Sequence, residues 1–460
     1  MVALSIKFCK QPTLTERLTM INKHKTTRLT VILSTALMLF LTPVGYAQGF
    51  EFEEFQSIPT QGATDWEFFT IGNDRYLAVA NGSNDSTYNI NSKIYRWNGA
   101  SFIEYQSIPT QKGVDWEFFT IGTDHYLAVA NYSNDSTNNI NSKLYRWNGA
   151  SFVEYQSIPT QGPWDWEFFT IGSDYYLAVA NYYNGSTHNF NSKLYRWNGA
   201  SFIEYQSIPT QGALDWEFFT IGTDHYLAVA NHRNDSKLYR WNGASFIEYQ
   251  SFPILGSQDW QYFMIGTDHY LAVANNSLYR WNGASFVEYQ SISTQEEAID
   301  WEFFTIGSNH YLAVANYSND STKSINSKLY QWNGASFIEH QSIPTQGAHD
   351  WKYFTIGTDH YLAVANRLTD STYNTSSKIY RYGRSQYEEA YQAGRQACID
   401  EPSSCGIQNC SAPTNVATFD ITSNVLHIPN YENTYWLKFG LTSWEPVQLQ
   451  LQSFGEIGAE

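Results

Sequence analysis

The dipeptide Asp-Trp recurs seven times in this chain, and each occurrence opens a near-identical unit. The intervals between successive copies are 50, 50, 50, 44, 41 and 50 residues. Each unit continues much as in residues 115–131, DWEFFTIGTDHYLAVAN, and later reaches a string such as SKLYRWNGASFIEYQS. A period of this size indicates a repeat architecture, in which similar supersecondary units pack on their neighbours. The repeat therefore limits the possible folds more strongly than composition does.

Each unit contains four short runs with the character of β-strands. In the second copy they are residues 116–121, 126–131, 143–147 and 152–158. Aromatic residues, which favour strands, make up 17% of the chain, and the Asn-Gly pair at 148–149 favours a tight hairpin. Four short antiparallel strands in about 40–50 residues are typical of one β-propeller blade. We therefore predict an all-β fold in which residues 48–383 form a seven-bladed β-propeller of four-stranded antiparallel blades.

The order of the strands also predicts how the ring closes. The seventh copy ends at residues 378–383, KIYRYG, without the FIEYQS-like strand that follows in the other copies. A strand of that type, FEFEEFQSI at residues 50–58, stands instead before the first Asp-Trp. We predict that this N-terminal strand completes the last blade and removes the open sheet edges that invite aggregation. The Asp-Trp strands then line the axis and the FIEYQS strands form the rim.

The segment before the repeats has the form of a secretory signal peptide. Residues 29–44 carry no charge, follow a basic stretch ending at Arg28, and precede Gly45-Tyr46-Ala47. A basic start, an apolar middle and a small-x-small end define such a peptide. A membrane anchor is the alternative, but the apolar run is shorter than the about 20 residues of a span. We predict that residues 1–47 are a signal peptide, with Met20 as an alternative start, and that the protein is secreted or extracellular, or lies in the periplasm or at the cell surface of a bacterium.

The repeat pattern stops after Gly383. We predict a helix and a cysteine-containing linker over residues 384–415 and a small β-rich unit over residues 416–460, where apolar and polar residues alternate. Cys398, Cys405 and Cys410 follow the helix-like stretch. In an exported protein Cys398 and Cys405 are candidates for a disulfide, although three cysteines allow three pairings.

The repeats resemble a known family, the epilepsy-associated repeat, also called the EAR, EPTP or epitempin repeat. The resemblance rests on Asp65-Trp66, on YLAVAN at 76–81, on Ser92 to Trp97 and on Phe102 to Thr110, and it extends over residues 50–383 in all seven copies. It implies a seven-bladed propeller in a secreted or cell-surface protein that binds receptors or matrix partners. Known animal members add leucine-rich or laminin-like domains, and the sequence shows no such domain. The identity of a partner does not carry over, because the binding loops are not part of the repeat signature.

One face of the propeller is predicted to carry the binding loops. Because strand direction alternates, the loop before each Asp-Trp and the loop between the second and third strands lie on the same face. The second of these loops varies from NYSNDSTNNINS in the second copy to NNS in the fifth. Variable loops often bind partners, and tyrosine supplies contact area at low entropic cost. The predicted ligand-binding residues are Tyr132, Asn134, Asp135, Tyr182, Tyr183, Tyr317 and Asp320, and the alternative is that these loops are merely solvated turns.

The seven repeated aspartates are candidates for a cation site at the channel mouth. They are Asp65, Asp115, Asp165, Asp215, Asp259, Asp300 and Asp350. Ca²⁺ takes six to eight oxygen ligands, but each aspartate is also able to accept hydrogen bonds from the turn that precedes its own strand. The repeated histidines, of which His125 is one, are predicted to lie on the opposite face, roughly 20 Å away at 3.3 Å per residue. An Asp–His catalytic pair within one copy is therefore excluded.

The remaining observations favour recognition over catalysis. The formal net charge of -17 leaves no basic stripe for nucleic acid. An enzyme needs one constellation of unlike groups, whereas almost every titratable group here recurs in register. We predict an exported, non-enzymatic and monomeric propeller that binds a cell-surface or extracellular protein without a cofactor, Ca²⁺ excepted. The alternatives are a multivalent carbohydrate-binding propeller and a hydrolase or lyase on a propeller scaffold.

Overall fold

The computed structural model describes residues 4–6, 50–274, 277–292, 297–319, 321–384 and 417–419. This part of the chain contains thirty strands, no helix and, accordingly, no helix that could cross a membrane. The chain divides into two compact units, of which one comprises Glu51–Gly383. In the other, β1 (Leu4–Ile6) pairs antiparallel with β30 (Ala417–Phe419). The rest of the predicted signal peptide, the predicted helix and Cys398 and Cys405 lie outside the described residues.

Seven four-stranded sheets make up the first of these units. In chain order the first three blades comprise β3 (Ala63–Ile71), β4 (Asp74–Asn81), β5 (Asn89–Trp97) and β6 (Phe102–Gln111); β7 (Gly113–Ile121), β8 (Asp124–Asn131), β9 (Asn141–Trp147) and β10 (Phe152–Pro159); and β11 (Pro163–Ile171), β12 (Asp174–Asn181), β13 (Asn189–Trp197) and β14 (Phe202–Gln211). The next three comprise β15 (Ala213–Ile221), β16 (Asp224–Asn231), β17 (Ser236–Trp241) and β18 (Phe246–Phe252); β19 (Trp260–Ile265), β20 (Asp268–Val273), β21 (Ser277–Trp281) and β22 (Phe286–Ser291); and β23 (Glu297–Ile306), β24 (Asn309–Ser318), β25 (Asn326–Trp332) and β26 (Phe337–Pro344). The seventh comprises β27 (Ala348–Ile356), β28 (Asp359–Asn366), β29 (Asn374–Arg384) and β2 (Phe50–Gln61).

The N-terminal strand closes the ring, as the sequence predicts. Strand β2 is hydrogen-bonded to β29 at the outer edge of the seventh blade. Lys378 Nζ lies 2.7 Å from Glu54 Oε2, and the hydroxyls of Thr60 and Ser377 lie 2.9 Å apart. The innermost strand of this blade, β27, also contacts β3 of the first blade. The seven-bladed β-propeller is therefore confirmed, with its first and last segments in one sheet.

The hydrophobic core lies between the blades rather than within any one of them. Between the first and second blades, Phe69, Tyr76 and Ile94 pack against Trp116 and Leu127. Burying a large aromatic side chain removes 150–250 Å² from water, worth roughly 5 kcal/mol at about 25 cal/mol per Å². Alternating small residues, such as the alanines of YLAVAN, leave room for the aromatic rings of the facing sheet. No blade is able to bury its faces alone, and so each depends on its neighbours.

A side-chain amide links each rim strand to the next blade. Gln106 Nε2 donates to Phe152 O at 2.8 Å, and Phe152 N donates to Gln106 Oε1 at 2.9 Å, as a neighbouring β-strand would. The same pair of hydrogen bonds recurs at every junction between neighbouring blades, including the junction between Gln341 and Phe52 of the closing strand. The rim strand also carries a bulge, because Glu104 faces Tyr95 whereas Gln106 faces Ile94. Such bulges twist an exposed edge away from pairing with other chains.

Candidate functional site

The seven aspartates form a ring of hydrogen bonds between blades, which we call the girdle. Asp65 Oδ2 accepts from Trp116 N in the next blade at 2.9 Å. The remaining six pairs repeat this bond around the ring, ending with Asp350, which accepts from Trp66 N. The expectation that each aspartate serves the turn before its own strand is corrected here, because the acceptor reaches the backbone of the following blade. The Asp-Trp motif therefore links neighbouring blades through hydrogen bonds, in addition to lying at the start of each innermost strand.

A second level of side chains lies two residues further along the innermost strands. Glu117 Oε1 accepts from Phe168 N at 3.0 Å, and Glu167, Glu217, Gln261 and Glu302 make the equivalent bond to their next blade. The seventh copy has Lys352 at this position, and its Nζ lies 2.6 Å from Glu67 Oε2. The central glutamate of the WEFF strand, which has no evident role in the sequence alone, therefore links neighbouring blades.

Burial shifts the titration of these channel groups. Desolvation raises the pKa of Glu217 to about 8 and that of Asp350 to about 8, where Lys352 partly opposes the shift. Desolvation also raises the pKa of Glu302, and the opposing charge of Lys352 holds it to about 7. For Lys352 itself burial favours the neutral amine, but Glu67 and Glu302 outweigh burial and raise its pKa. Near neutral pH much of the channel carboxylate therefore carries protons.

The seven aspartates, the predicted cation ligands, are all accounted for by the girdle. In the described part of the chain, no three His, Cys, Asp or Glu side chains are grouped so that they could hold a metal ion. Each girdle aspartate directs one carboxylate oxygen at a backbone N–H. A cation in the channel stays a prediction.

At the end of the channel next to the girdle, the repeat is less strict, and several of the residues there occur in a single copy. Seven half-buried side chains meet there, which we call the mouth cluster: Lys112, Tyr132, Trp164, Tyr182, Tyr317, His349 and Arg367. They lie at or next to the start of an innermost strand or the end of a second strand, and these positions meet because the two strands pair antiparallel, with Ala348 opposite Asn366. We call this side of the propeller the loop face.

Ring contacts hold the mouth cluster together across the channel. Trp164 of the third blade lies 5.9 Å from His349 of the seventh, ring centroid to centroid, although these blades are not neighbours. Trp164 also packs edge-on against Tyr132 at 5.3 Å and lies 5.5 Å from Tyr182. Tyr317 approaches His349 at 6.3 Å. The contacts between the third and seventh blades partly close this end of the channel.

Two cations complete the mouth cluster. The Arg367 guanidinium lies about 6 Å from the rings of both Trp164 and Tyr317. Lys112 Nζ lies 4.8 Å from the Tyr88 ring and 4.3 Å from the Tyr132 ring. Burial and the charge of Arg367 lower the pKa of Lys112 to about 7, and the same two causes lower that of His349 to about 3. The histidine is therefore neutral near pH 7 and the lysine titrates there.

The backbone of Lys112 is strained. Its φ of 49° is the only positive value at a non-glycine residue in the described part of the chain. Five other copies place glycine at this position, Gly62, Gly162, Gly212, Gly256 and Gly347, all with positive φ. A side chain in the left-handed region costs of order 1–3 kcal/mol, and such strain is concentrated at functional sites. The second copy thus carries a lysine where the repeat favours glycine.

The residues predicted to bind a ligand fall into three groups. Tyr132, Tyr182 and Tyr317 belong to the mouth cluster, and Tyr183 packs on His188 with ring centroids 4.6 Å apart. Asn134 and Asp135 instead bond within the loops: Asn134 Oδ1 accepts from Ser136 N and Thr137 N, and Asp135 accepts from Thr87, Tyr88 and Asn89 of the preceding copy. Asp320 lies outside the described residues.

Four members of the mouth cluster are absent from the sequence-based prediction. They are Lys112, Trp164, His349 and Arg367. The signal was present in the alignment of the copies with one another. The residue before Asp-Trp reads Thr, Val, Trp, Leu, Gln, Ile and His through the seven copies, while the Asp-Trp that follows does not change.

The repeated histidines lie at the opposite end of the channel. His125 Nδ1 is 3.1 Å from Thr120 Oγ1 across the turn, and His225 and His310 repeat this contact. His269 and His360 instead contact the hydroxyls of Tyr262 and Tyr353 at 2.6 Å. This end keeps the repeat, whereas the mouth cluster breaks it.

Comparison with known proteins gives one family and few close relatives. The EPTP domain family matches seven segments, residues 51–98, 101–148, 151–198, 201–242, 245–282, 285–333 and 336–382. The mouse thrombospondin-type laminin G domain and EAR repeat-containing protein is 54% identical over 48 residues, which are 10% of this chain and 7% of that protein. The human protein of the same name is 52% identical over 48 residues, again 7% of its length. Among solved structures, BBS1N in complex with ARL6DN matches with a TM-score of 0.49 at 12% identity, over 73% of this chain and 97% of that one.

Proposed function

The chain belongs to the EPTP domain family, and from this premise we propose that it is an exported, non-enzymatic recognition protein that binds a protein partner through its loop face. The mouth cluster forms the centre of that contact. A seven-bladed propeller of EPTP repeats fits a protein-interaction scaffold, because its closed core is rigid and its loops are free to vary. The relatives covered by this chain are matched over only 7% of their length, so their other domains lend no role to it.

The proposal is supported by the positions at which the copies of the repeat differ from one another. Near-identical residues fill the core, the girdle and most of the opposite mouth, whereas four members of the mouth cluster, Lys112, Trp164, His349 and Arg367, each occur in a single copy. Its composition, which includes tryptophan, tyrosine and arginine, is that of the few residues that dominate binding energy at protein interfaces. Half-buried rings held by neighbouring rings lose little entropy on binding.

The non-enzymatic part of the proposal follows from the chemistry of the channel. The girdle carboxylates accept backbone N–H groups, and the repeated histidines contact Thr or Tyr hydroxyls at the far end. No described aspartate of the girdle therefore pairs with a repeated histidine as a general acid–base couple would. Export is supported by the leader-like residues 1–47.

Capture with the secreted chain tests the proposal. The mature chain, residues 48–460, is used to capture and crosslink partners from cell-surface and extracellular extracts. We expect crosslinks on the loop face, and Trp164→Ala to reduce capture at least tenfold, as for an interface hot spot. Tyr175→Ala serves as the matched control. It also removes an aromatic ring, but one that stacks on Phe168 at the opposite end of the channel. Equal capture by the wild type and a folded Trp164→Ala variant, or crosslinks confined to the opposite face, would refute it.

A further inference from the structure

The two cations of the mouth cluster have no acidic partner among the described residues. Elsewhere in the propeller, lysines and arginines at repeated positions are paired, as with Lys143 and Glu154 at 2.7 Å and Arg146 and Asp124 at 2.6 Å. Lys112 and Arg367 make no ion pair with another described residue, although the chain is strongly acidic. Both arise at positions where the repeat has another residue. Two neighbouring positive charges in an acidic protein are therefore left available for an external anion.

The geometry of Arg367 suits a carboxylate. Its guanidinium lies near the rings of Trp164 and Tyr317, at about 6 Å from each centroid, and makes no hydrogen bond with a described residue. A guanidinium held by aromatic rings keeps its N–H edge for a planar, bidentate acceptor. The positive charge of Arg367 contributes to lowering the pKa of Lys112, so the two side chains repel each other. A carboxylate bound between them would offset that repulsion.

Neutral hydrogen-bonding groups surround these cations. The hydroxyls of Tyr132, Tyr182 and Tyr317 and the indole N–H of Trp164 make no hydrogen bond with a described residue, and none is a buried, unpaired atom. His349 Nδ1 donates to Thr64 O at 2.8 Å, which leaves Nε2 of the neutral ring as an acceptor for another partner. Several neutral donors and acceptors around one charged pair match a ligand with many hydroxyls and a single acid group.

The girdle beneath does not cancel this positive charge. Burial raises the pKa of Asp165, which directly follows Trp164, and neighbouring Asp215 adds to the shift. Burial therefore favours the protonated form of this girdle carboxyl, which reduces the negative charge beside Lys112 and Arg367.

We propose that the mouth cluster is a single binding site for a carboxylate-bearing sugar of the uronate type, with Arg367 and Lys112 receiving the carboxylate and the phenols and His349 receiving hydroxyls. This inference deepens the proposed function and rests on it for the use of the loop face. The sugar would be carried by the partner or its surrounding matrix. The site occurs once per propeller, because no second copy repeats Lys112, Trp164, His349 or Arg367, which distinguishes it from a multivalent array.

Calorimetry with three probes tests the proposal: tetragalacturonate, its methyl ester and tetraglutamate. We expect saturable binding of the acid at one site per chain and at least tenfold weaker binding of the ester, which keeps the sugar and loses the charge. Arg367→Tyr should abolish the difference between acid and ester, and Lys112→Gly should weaken the acid several-fold. Both substitutions introduce residues that other copies carry at these positions, so folding is preserved. Arg75→His, which restores the repeat residue at the opposite mouth, is the matched control and should change nothing.

Proton uptake provides a second readout. Lys112 faces Tyr88, Tyr132, Arg367 and His349, and its pKa of about 7 in the free protein rises when a carboxylate binds. Binding at pH 8 should therefore take up a proton that binding at pH 5.5 does not, measured in buffers of different ionisation enthalpy. Lys112→Gly should abolish this uptake.

The outcomes separate this inference from the proposed function. Equal affinity for acid and ester, or no saturation at millimolar concentration, overturns the sugar site even if a protein is captured. Equal or tighter binding of tetraglutamate assigns the site to acidic peptides and overturns the sugar class. Uronate binding that survives Arg367→Tyr moves the site elsewhere. Loss of protein capture without loss of uronate binding contradicts the proposed function alone.

Discussion

The girdle and the mouth cluster lie next to each other along the channel and follow opposite rules. In the girdle every blade contributes the same aspartate to the same backbone N–H of its neighbour. In the mouth cluster three blades share an equivalent tyrosine, but Lys112, Trp164, His349 and Arg367 each occur in one copy only, and the contacts between Trp164 and His349 or Arg367 cross the channel instead of following the ring. Repeated contacts hold an assembly of identical units together. Residues that occur once have no such role, and they are where a ring of copies can acquire a specific ligand.

Deleting the closing strand should have the largest effect on this comparison. A chain lacking residues 50–61 leaves β29 as an open edge and exposes the seventh blade, so we expect loss of the cooperative transition and aggregation. Size-exclusion chromatography and thermal unfolding measure this. A deletion variant that stays monomeric and unfolds cooperatively would show that the girdle does not need a closed ring.

Two tryptophans provide a matched pair for the next test. Trp216→Ala removes a buried ring next to the girdle and should lower the free energy of unfolding by about 3–5 kcal/mol. Trp164→Ala removes a half-buried ring of the mouth cluster and should cost about 1 kcal/mol, because only its ring contacts are lost. Denaturant unfolding of both variants decides it. Comparable losses would mean that the mouth cluster is structural.

The pH dependence of stability should report on the second level of channel side chains, next to the girdle. Glu217 and Glu302 have folded-state pKa values of about 8 and about 7, well above those of an unfolded glutamate. Between the unfolded-state and folded-state pKa values, from about pH 5 to about pH 8, the folded state holds more protons than the unfolded state. The free energy of unfolding therefore falls as the pH rises through this interval. We expect a decrease of several kcal/mol in the free energy of unfolding, since each pKa unit of difference between the two states is worth about 1.4 kcal/mol. Constant or rising stability over this interval would contradict the assignment.

Lys352→Gln sharpens that experiment. The lysine opposes the rise in the pKa of Asp350 and Glu302, so its removal should steepen the loss of stability with pH. The sequence-based prediction of a channel cation is tested in the same series, because Ca²⁺ bound to the carboxylates would replace protons and flatten the slope at pH 7–8. An unchanged slope at 5 mM Ca²⁺ would argue against the cation.

Substitutions in the mouth cluster should have the smallest effect on stability. Arg367→Tyr exchanges one residue found after a second strand for another, and we expect a change within about 0.5 kcal/mol. Lys112→Gly should be neutral or stabilising, because glycine relieves the positive φ of 49°. Thermal unfolding measures both. Destabilisation beyond 1 kcal/mol would mean that these cations support the ring.

The fold was predictable from the sequence because the same physical information is repeated. Asp-Trp and the Asn-Gly turn recur at the same place in the copies, and counting Asp-Trp gives the number of blades. The final strand is missing only from the last copy, which predicts how the ring closes. The mouth cluster was predictable only in part. The tyrosines at 132, 182 and 317 follow directly on a strand and lie in variable loops, but nothing local indicates that Trp164 meets His349, since that contact depends on the diameter of the ring. The direction of the girdle bonds was missed because a side chain beside its own turn was expected to serve that turn.

The pairing of β2 with β29 sets an order on biosynthesis. Residues 50–61 are made first among the blade strands, and their partner, residues 374–384, is made last. During the whole interval the early strand has no place in a finished sheet, although its sequence closely matches the rim strands emerging behind it. A nascent chain must therefore keep FEFEEFQSI from pairing with the wrong blade until translation has supplied the right one.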